Sequence, residues 1–349
     1  MASSDFHISI RDSEEKHFSI LNDPRDYNLM ILPFEYNHRK IFGLQPGEVD
    51  YTLPGKPIYG LEEVPKITLQ PVSVKPVKIY STIAKDDYIR NVQYIKKEIQ
   101  LGNIYEMNYC FEFFDDEAII DPYEIFRKLY DYSKAPYSSL TKIGDLYVIC
   151  CSPERFVKKM GGKVISEPMK GTAPRGIDKK SDEQNKKTLQ QSKKERIENV
   201  IIVDLVRNDL SKIAEKGSVN VDELFGIKSF PTVHQMISTV SCNSIAPLEK
   251  IMEATFPMGS MTGAPKKKTL ELISKFEKKP RGIYSGALGI IEPSGNFDFA
   301  VIIRSIVYDA KKKYLSFSVG SAITAGSIAE QEYEECLLKA KTMMNVFKP

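Results

Sequence analysis

The chain is poor in cysteine, and the five it has (Cys110, Cys150, Cys151, Cys242, Cys336) are odd in number and show no CxxC spacing. Neither a disulfide framework nor a thiolate zinc site is suggested, and a reducing compartment, the cytoplasm, is expected. No run of about 18 apolar residues occurs, and the opening MASSDFHISIRDSEEKH is charged from Asp5 onward, where a signal peptide needs an uninterrupted apolar stretch. Neither secretion nor a membrane span is expected. An excess of one charge is also missing: 49 Lys+Arg against 46 Asp+Glu leaves only +3, spread along the chain. That balance gives no electrostatic footprint for nucleic acid. No P-loop occurs, and no GxGxxG lies between a strand and a helix, so nucleotide binding is unsupported. A small-molecule ligand is the class that remains.

The length of 349 residues and a 42% hydrophobic content suffice for a sizeable core and one or two domains. Eight prolines between Asp23 and Pro76 separate short apolar runs such as Leu29–Leu32, which predicts short strands and loops. Asp86 or Asp87 is placed to cap a helix carrying Tyr88, Val92, Ile95 and Ile99 on one face, and Gly102 to end it. Strand patterning follows at 104–114 and 146–151, with a helix at 122–132 between them. After the lysine-rich stretch 178–194, a long helix is expected over about 186–210. Further helices fall near 247–255, 265–278 and 329–346, with β runs at 283–292, 298–308 and 314–319. Strands cluster without strict βαβ alternation, which favours an α+β fold with largely antiparallel sheets. Residues 1–80 are expected to form a short β-rich region packed on a main unit of residues 81–349.

Two helical segments each carry glutamates three apart: Glu195 and Glu198 in KKERIEN, and Glu332 and Glu335 in EQEYEEC. Each pair shares a helix face, as glutamates on a solvated surface also do. Brought together, four carboxylates would need a hard divalent cation such as magnesium between them. Three glycine-containing segments, PMKGTAPRG, FPMGSMTGAPK and VGSAITAG, read as tight turns whose amides, with Thr172, Ser260, Thr262 and Thr324, could also hold an anion. Lys170 stands outside any lysine run; if buried, its pKa would fall and a neutral amine could act as nucleophile or base. His234 is set in apolar sequence, where a satisfied core histidine is the ordinary case and a catalytic role the alternative. Arg304, inside the apolar run FAVIIRSIV, requires an anionic partner, which a substrate carboxylate could supply.

The order SPERF, PMKGT, KKERIENVIIVDLVRNDL, TVHQMISTV, FPMGSMTGAPK, RGIYSGALG, FAVIIRS, VGSAIT and EYEECLLKA resembles the chorismate-utilising enzyme family from about Lys85 to the C-terminus. The resemblance implies two layered, largely antiparallel sheets with outer helices and a magnesium-dependent chorismate site between them. By the same resemblance Glu195, Glu198, Glu332 and Glu335 hold Mg2+, and Glu154 of SPERF is the general acid for the departing ring hydroxyl. Arg304, Tyr284 and the Gly320 backbone grip the enolpyruvyl carboxylate, while Thr172, His234, Thr262 and Lys339 complete the pocket. Lys170, before Gly171-Thr172, marks the members that form aminodeoxychorismate, where the anthranilate-forming members usually carry alanine. Its amine is then expected at ring carbon 2 while ammonia enters at carbon 4, giving 4-amino-4-deoxychorismate; anthranilate synthase component I is the alternative. Two departures stand out: Glu106 replaces the glutamine usual in both amine-adding types, and VGSAIT replaces a triple-glycine turn around Ser321 and Ala322. No cysteine-nucleophile glutaminase motif is present, so ammonia is expected from solution or from a separate glutamine amidotransferase subunit.

Overall fold

The computed structural model describes residues 75–348 apart from 144 and 232, together with residues 8–11, 18–19, 28–32 and 34. Most of the proline-rich stretch expected to hold short strands lies outside the described residues. Two sheets form the frame. The first orders its strands Gly263–Ala264, Glu106–Asp115, Tyr314–Ile323, Ser305–Asp309, Leu146–Ser152, Tyr137–Ile143, Ile8–Arg11 and Phe18–Ser19, with Tyr80–Ser81 also paired to Glu106–Asp115. The second orders Met169–Pro174, Val233–Asn243, Lys163–Ser166, Arg155–Met160, Phe297–Val301, Ala287–Ile291 and Asn28–Leu32, with Asn220–Ser229 also paired to Val233–Asn243. Every pairing among these strands is antiparallel. The α+β expectation of two largely antiparallel sheets is met.

Helices cover the sheets because each has one apolar stripe to bury. Helix Lys85–Gln100 buries Tyr88, Val92 and Ile95, and with helices Pro122–Ser133 and Ala329–Asn345 it closes a core against the first sheet. Asp86 and Asp87 sit in its first turn, where they complement the helix dipole, and the N-cap is Ala84 rather than either aspartate. Helices Lys193–Ser211 and Leu248–Thr255 bury Ile202, Val206 and Ile251 on the second sheet. Each such aliphatic side chain contributes roughly 1.5–3 kcal/mol by leaving water. A smaller cluster of Ile31, Val148, Cys150, Leu288 and Ile302 joins the two sheets.

Two sequence expectations change. The long helix expected over 186–210 is two helices, Lys179–Gln191 and Lys193–Ser211. Ser192 adopts an extended conformation between them, and its hydroxyl accepts from the Glu195 amide. The run 298–308 is likewise broken. Phe297–Val301 belongs to the second sheet and Ser305–Asp309 to the first, so the chain crosses between sheets at Arg304, whose φ is +50°.

Candidate active site

The sheets meet at a buried ion pair. Lys170 lies on Met169–Pro174 at the end of the second sheet, opposite Met236, and a register shift between Lys170 and Thr172 bends the strand there. Its Nζ is 2.5 Å from Oε1 of Glu106, which stands on the Glu106–Asp115 strand of the first sheet. Both side chains are buried, and Glu106 Oε2 has no hydrogen-bond partner among the described residues. The sequence expectation was that burial would free the Lys170 amine. Burial does push its pKa down, but Glu106 foremost, with Glu198 and Glu154, outweighs that and raises it, so the resting group is an ammonium.

Glu154 lies in the turn between strands Leu146–Ser152 and Arg155–Met160 and is held by its backbone. Its amide donates to Ser152 Oγ at 3.2 Å, and its carbonyl accepts from the Val301 amide at 3.1 Å. Burial pushes its carboxyl up to about 7, against the opposing pull of the Ser260 hydroxyl and Lys170. A carboxyl still half protonated near neutrality can donate a proton to a leaving oxygen. A cavity of about 20 Å³ beside it, lined by Ser260, Thr255, Asp209, Val206 and Met258 among others, has room for a water molecule.

The two glutamate pairs face one another across helices Lys193–Ser211 and Ala329–Asn345. Burial pushes the Glu198 carboxyl up to about 7 and also raises Glu195, and Glu198 Oε1 is buried with no hydrogen-bond partner among the described residues. Glu335 is subject to the same burial, yet Lys339, 2.7 Å away, holds it below its usual range. Glu332 is 3.6 Å from Lys194. Among the described residues no three metal-ligating side chains are already gathered as a ready ligand set. The donors are nonetheless all carboxylate oxygens, one of them orphaned, and this chemistry fits a hard cation such as magnesium.

On the far side, Lys339 Nζ donates to the Gly320 carbonyl at 2.8 Å, and the Arg304 guanidinium lies 3.5 Å from the Lys339 carbonyl. Among the described residues no carboxylate lies within ion-pairing distance of Arg304, although Glu335 and Tyr284 act on it electrostatically. Arg304 thus stands at the break between two strands rather than inside the single apolar strand expected from the sequence. Gly320 pairs with Cys110, and a Cβ there would stand 2.4 Å from Cys110 Sγ, so the close approach of the two strands requires glycine. Tyr284 is buried nearby, and that burial raises its hydroxyl pKa well above the usual value.

Three expected residues are engaged or directed elsewhere. His234 pairs through Nε2 with Asp182 Oδ1 at 3.0 Å and through Nδ1 with Ser229 Oγ at 2.8 Å, fastening helix Lys179–Gln191 to the sheet. The Thr262 hydroxyl donates to the Met258 carbonyl at 3.0 Å, and Thr172 is exposed. Conversely, Lys194 has no place in the sequence reading, Ser260 enters it only as a possible anion donor, and Glu106 only as a departure from the usual glutamine. A signal existed for Glu106, since an acid inside the apolar strand EMNYCFEFF needs a cation for the same reason that Arg304 needs an anion.

The chorismate binding enzyme family matches residues 56–345. The chain is 38% identical over 268 residues to a probable chloroplastic aminodeoxychorismate synthase from Oryza sativa subsp. japonica, covering 75% of this chain and 30% of that protein. It is 34% identical over 267 residues to aminodeoxychorismate synthase component 1 of Klebsiella aerogenes, covering 76% and 58%. It thus spans less than two thirds of these relatives' length. The crystal structure of anthranilate synthase component I from Streptococcus pneumoniae TIGR4 superposes with a TM-score of 0.77 at 23% identity, over 95% of this chain and 82% of that one, which shows the shared fold. The chain belongs to the chorismate binding enzyme family. Among the described residues no helix is long and apolar enough to cross a membrane.

Proposed function

We propose that the chain aminates chorismate with ammonia to 4-amino-4-deoxychorismate, with ammonia supplied from solution or by a separate glutamine amidotransferase subunit. The observation that carries this reading is Lys170, buried at the junction of the sheets with Glu106 at 2.5 Å and Glu154 close enough to act on it electrostatically. The relatives named as aminodeoxychorismate synthases support the same choice.

In this reading Arg304, with the Gly320 backbone and Tyr284, receives the enolpyruvyl carboxylate. Glu195, Glu198, Glu332 and Glu335 would hold Mg2+, which supplies a positive centre for the ring carboxylate. Glu154 gives its proton to the hydroxyl leaving carbon 4. Lys170, having passed a proton to Glu106, bonds to carbon 2 as that hydroxyl departs. Ammonia then attacks carbon 4, the lysine leaves as the neutral amine and takes its proton back from Glu106, and the proton released by the new amino group returns to Glu154. Thr172, Thr262 and His234 shape the surrounding wall, His234 by holding the helix that packs beside the Lys170 strand. Residues 81–349 carry the catalytic unit, and a cytoplasmic setting fits five free cysteines.

Incubation with chorismate, magnesium and ammonium, followed by a lyase that releases pyruvate, should yield 4-aminobenzoate. Anthranilate as the aromatic product would replace this reading with that of anthranilate synthase component I.

A further inference from the structure

Lys194 begins the turn that carries Glu195, and its side chain is about half exposed (54%). Its Nζ reaches 3.6 Å from Oε1 of Glu332, a buried residue on the opposite helix. One ammonium therefore reaches from the helix of Glu195 and Glu198 to the helix of Glu332 and Glu335 and links the two across the site. Of the other ammonium groups near the cluster, Lys170 is committed to Glu106 at 2.5 Å, and Lys339 to Glu335 at 2.7 Å and to the Gly320 carbonyl at 2.8 Å. Glu198 Oε1 meanwhile stays buried and unpaired among the described residues.

We propose that Lys194 is the resident counter-cation of the glutamate cluster, so that it competes with the divalent metal and sets the metal's affinity. The inference rests on the reading of Glu195, Glu198, Glu332 and Glu335 as metal ligands. Two cations cannot share one set of carboxylates without repelling each other, so metal entry and the inward position of Lys194 exclude one another. A lysine has the means to yield: a flexible four-carbon stem, a strongly hydrated head group and, here, a half-exposed position from which it can turn into water. An arginine held by a bidentate pair would give way less readily. The ammonium thus screens the four carboxylates from one another while no metal is bound, and the screening weakens metal binding.

The test is Mn2+ binding to the full chain, followed by electron paramagnetic resonance of the free ion, with no substrate and no turnover. Lys194→Met keeps the stem and removes the charge, and it should bind Mn2+ at least about tenfold more tightly than the wild type. Lys194→Arg keeps the charge and should bind no more tightly than the wild type. Thermal melting of each variant establishes that it is folded, and Lys194→Gln serves in place of the methionine variant if that one does not fold. Equal or weaker Mn2+ binding by the charge-removed variant overturns the inference alone. No Mn2+ binding by any of the proteins overturns the metal reading and the inference together.

Discussion

Glu154 and Glu106 are buried acids on one cleft, but only Glu106 has a cation within bonding distance among the described residues. Burial lifts Glu154 to about 7, so its proton is available near neutrality and is lost as the pH rises through that value. With the concentration of free ammonia held constant, kcat/KM for chorismate should fall on the alkaline side of about pH 7, and Glu154→Gln should remove nearly all turnover, by at least about a hundredfold. A profile flat to pH 9 would contradict the acid role. The same shift has a sign for stability. The folded form binds this proton more tightly than the unfolded one, so stability contributed through Glu154 declines between the ordinary value of 4.5 and about 7, then levels. Lys170 runs in the same direction at higher pH: its raised pKa gives a contribution present in full below the ordinary 10.5 and lost above it. Glu106→Gln removes the largest force holding that proton while burial remains. Reductive methylation of Lys170, followed by mass spectrometry across pH, should show its midpoint falling. An unchanged midpoint would show that Glu106 does not hold the proton.

Strand Tyr314–Ile323 lies beside Glu106–Asp115 so closely that Gly320 leaves no room for a side chain. Gly320→Ala should cost about 1–3 kcal/mol in urea unfolding, because the new methyl meets Cys110 Sγ, Asn108 Oδ1 and the Tyr109 carbonyl. Adding Cys110→Ala should recover part of that loss, and strictly additive effects would argue against the contact. Such packing was legible in the sequence only as a glycine in a β run. Amphipathic spacing sufficed for helices Lys85–Gln100 and Pro122–Ser133, whose apolar stripes are regular. It did not suffice at Ser192, since the hydrophilic stretch before it has little apolar periodicity and becomes a helix through the Asp178–Ser181 capping box. Nor did it suffice at Arg304, where residues on both sides are apolar because one strand ends in one sheet and the next begins in the other. Apolar character reports burial, but the sheet that provides it depends on tertiary structure.

The whole molecule brings the site together from strands of both sheets and from two helices that pack on different sheets. The glutamate spacing marked both helices, but only the fold shows them facing each other with Lys194 between them. A cation bridging the two helices would couple metal and substrate binding. Chelation should therefore abolish turnover, and Glu335→Gln should weaken Mn2+ and chorismate binding together; full activity in excess chelator would contradict the proposed metal site. In the proposed reaction the direction of ammonia attack would be a property of the whole arrangement, because Lys170 comes from one sheet and its partner Glu106 from the other. The most direct measurement is nitrogen-15 NMR of the product formed from chorismate, magnesium and labelled ammonium, with the wild type and Lys170→Ala compared. The wild type should place the label on carbon 4, and the variant should form that product at least about tenfold more slowly, a barrier increase of roughly 1.4 kcal/mol, with some label at carbon 2. Label on carbon 2 from the wild type, or a carbon-4 product formed at the normal rate without the lysine, would contradict the account.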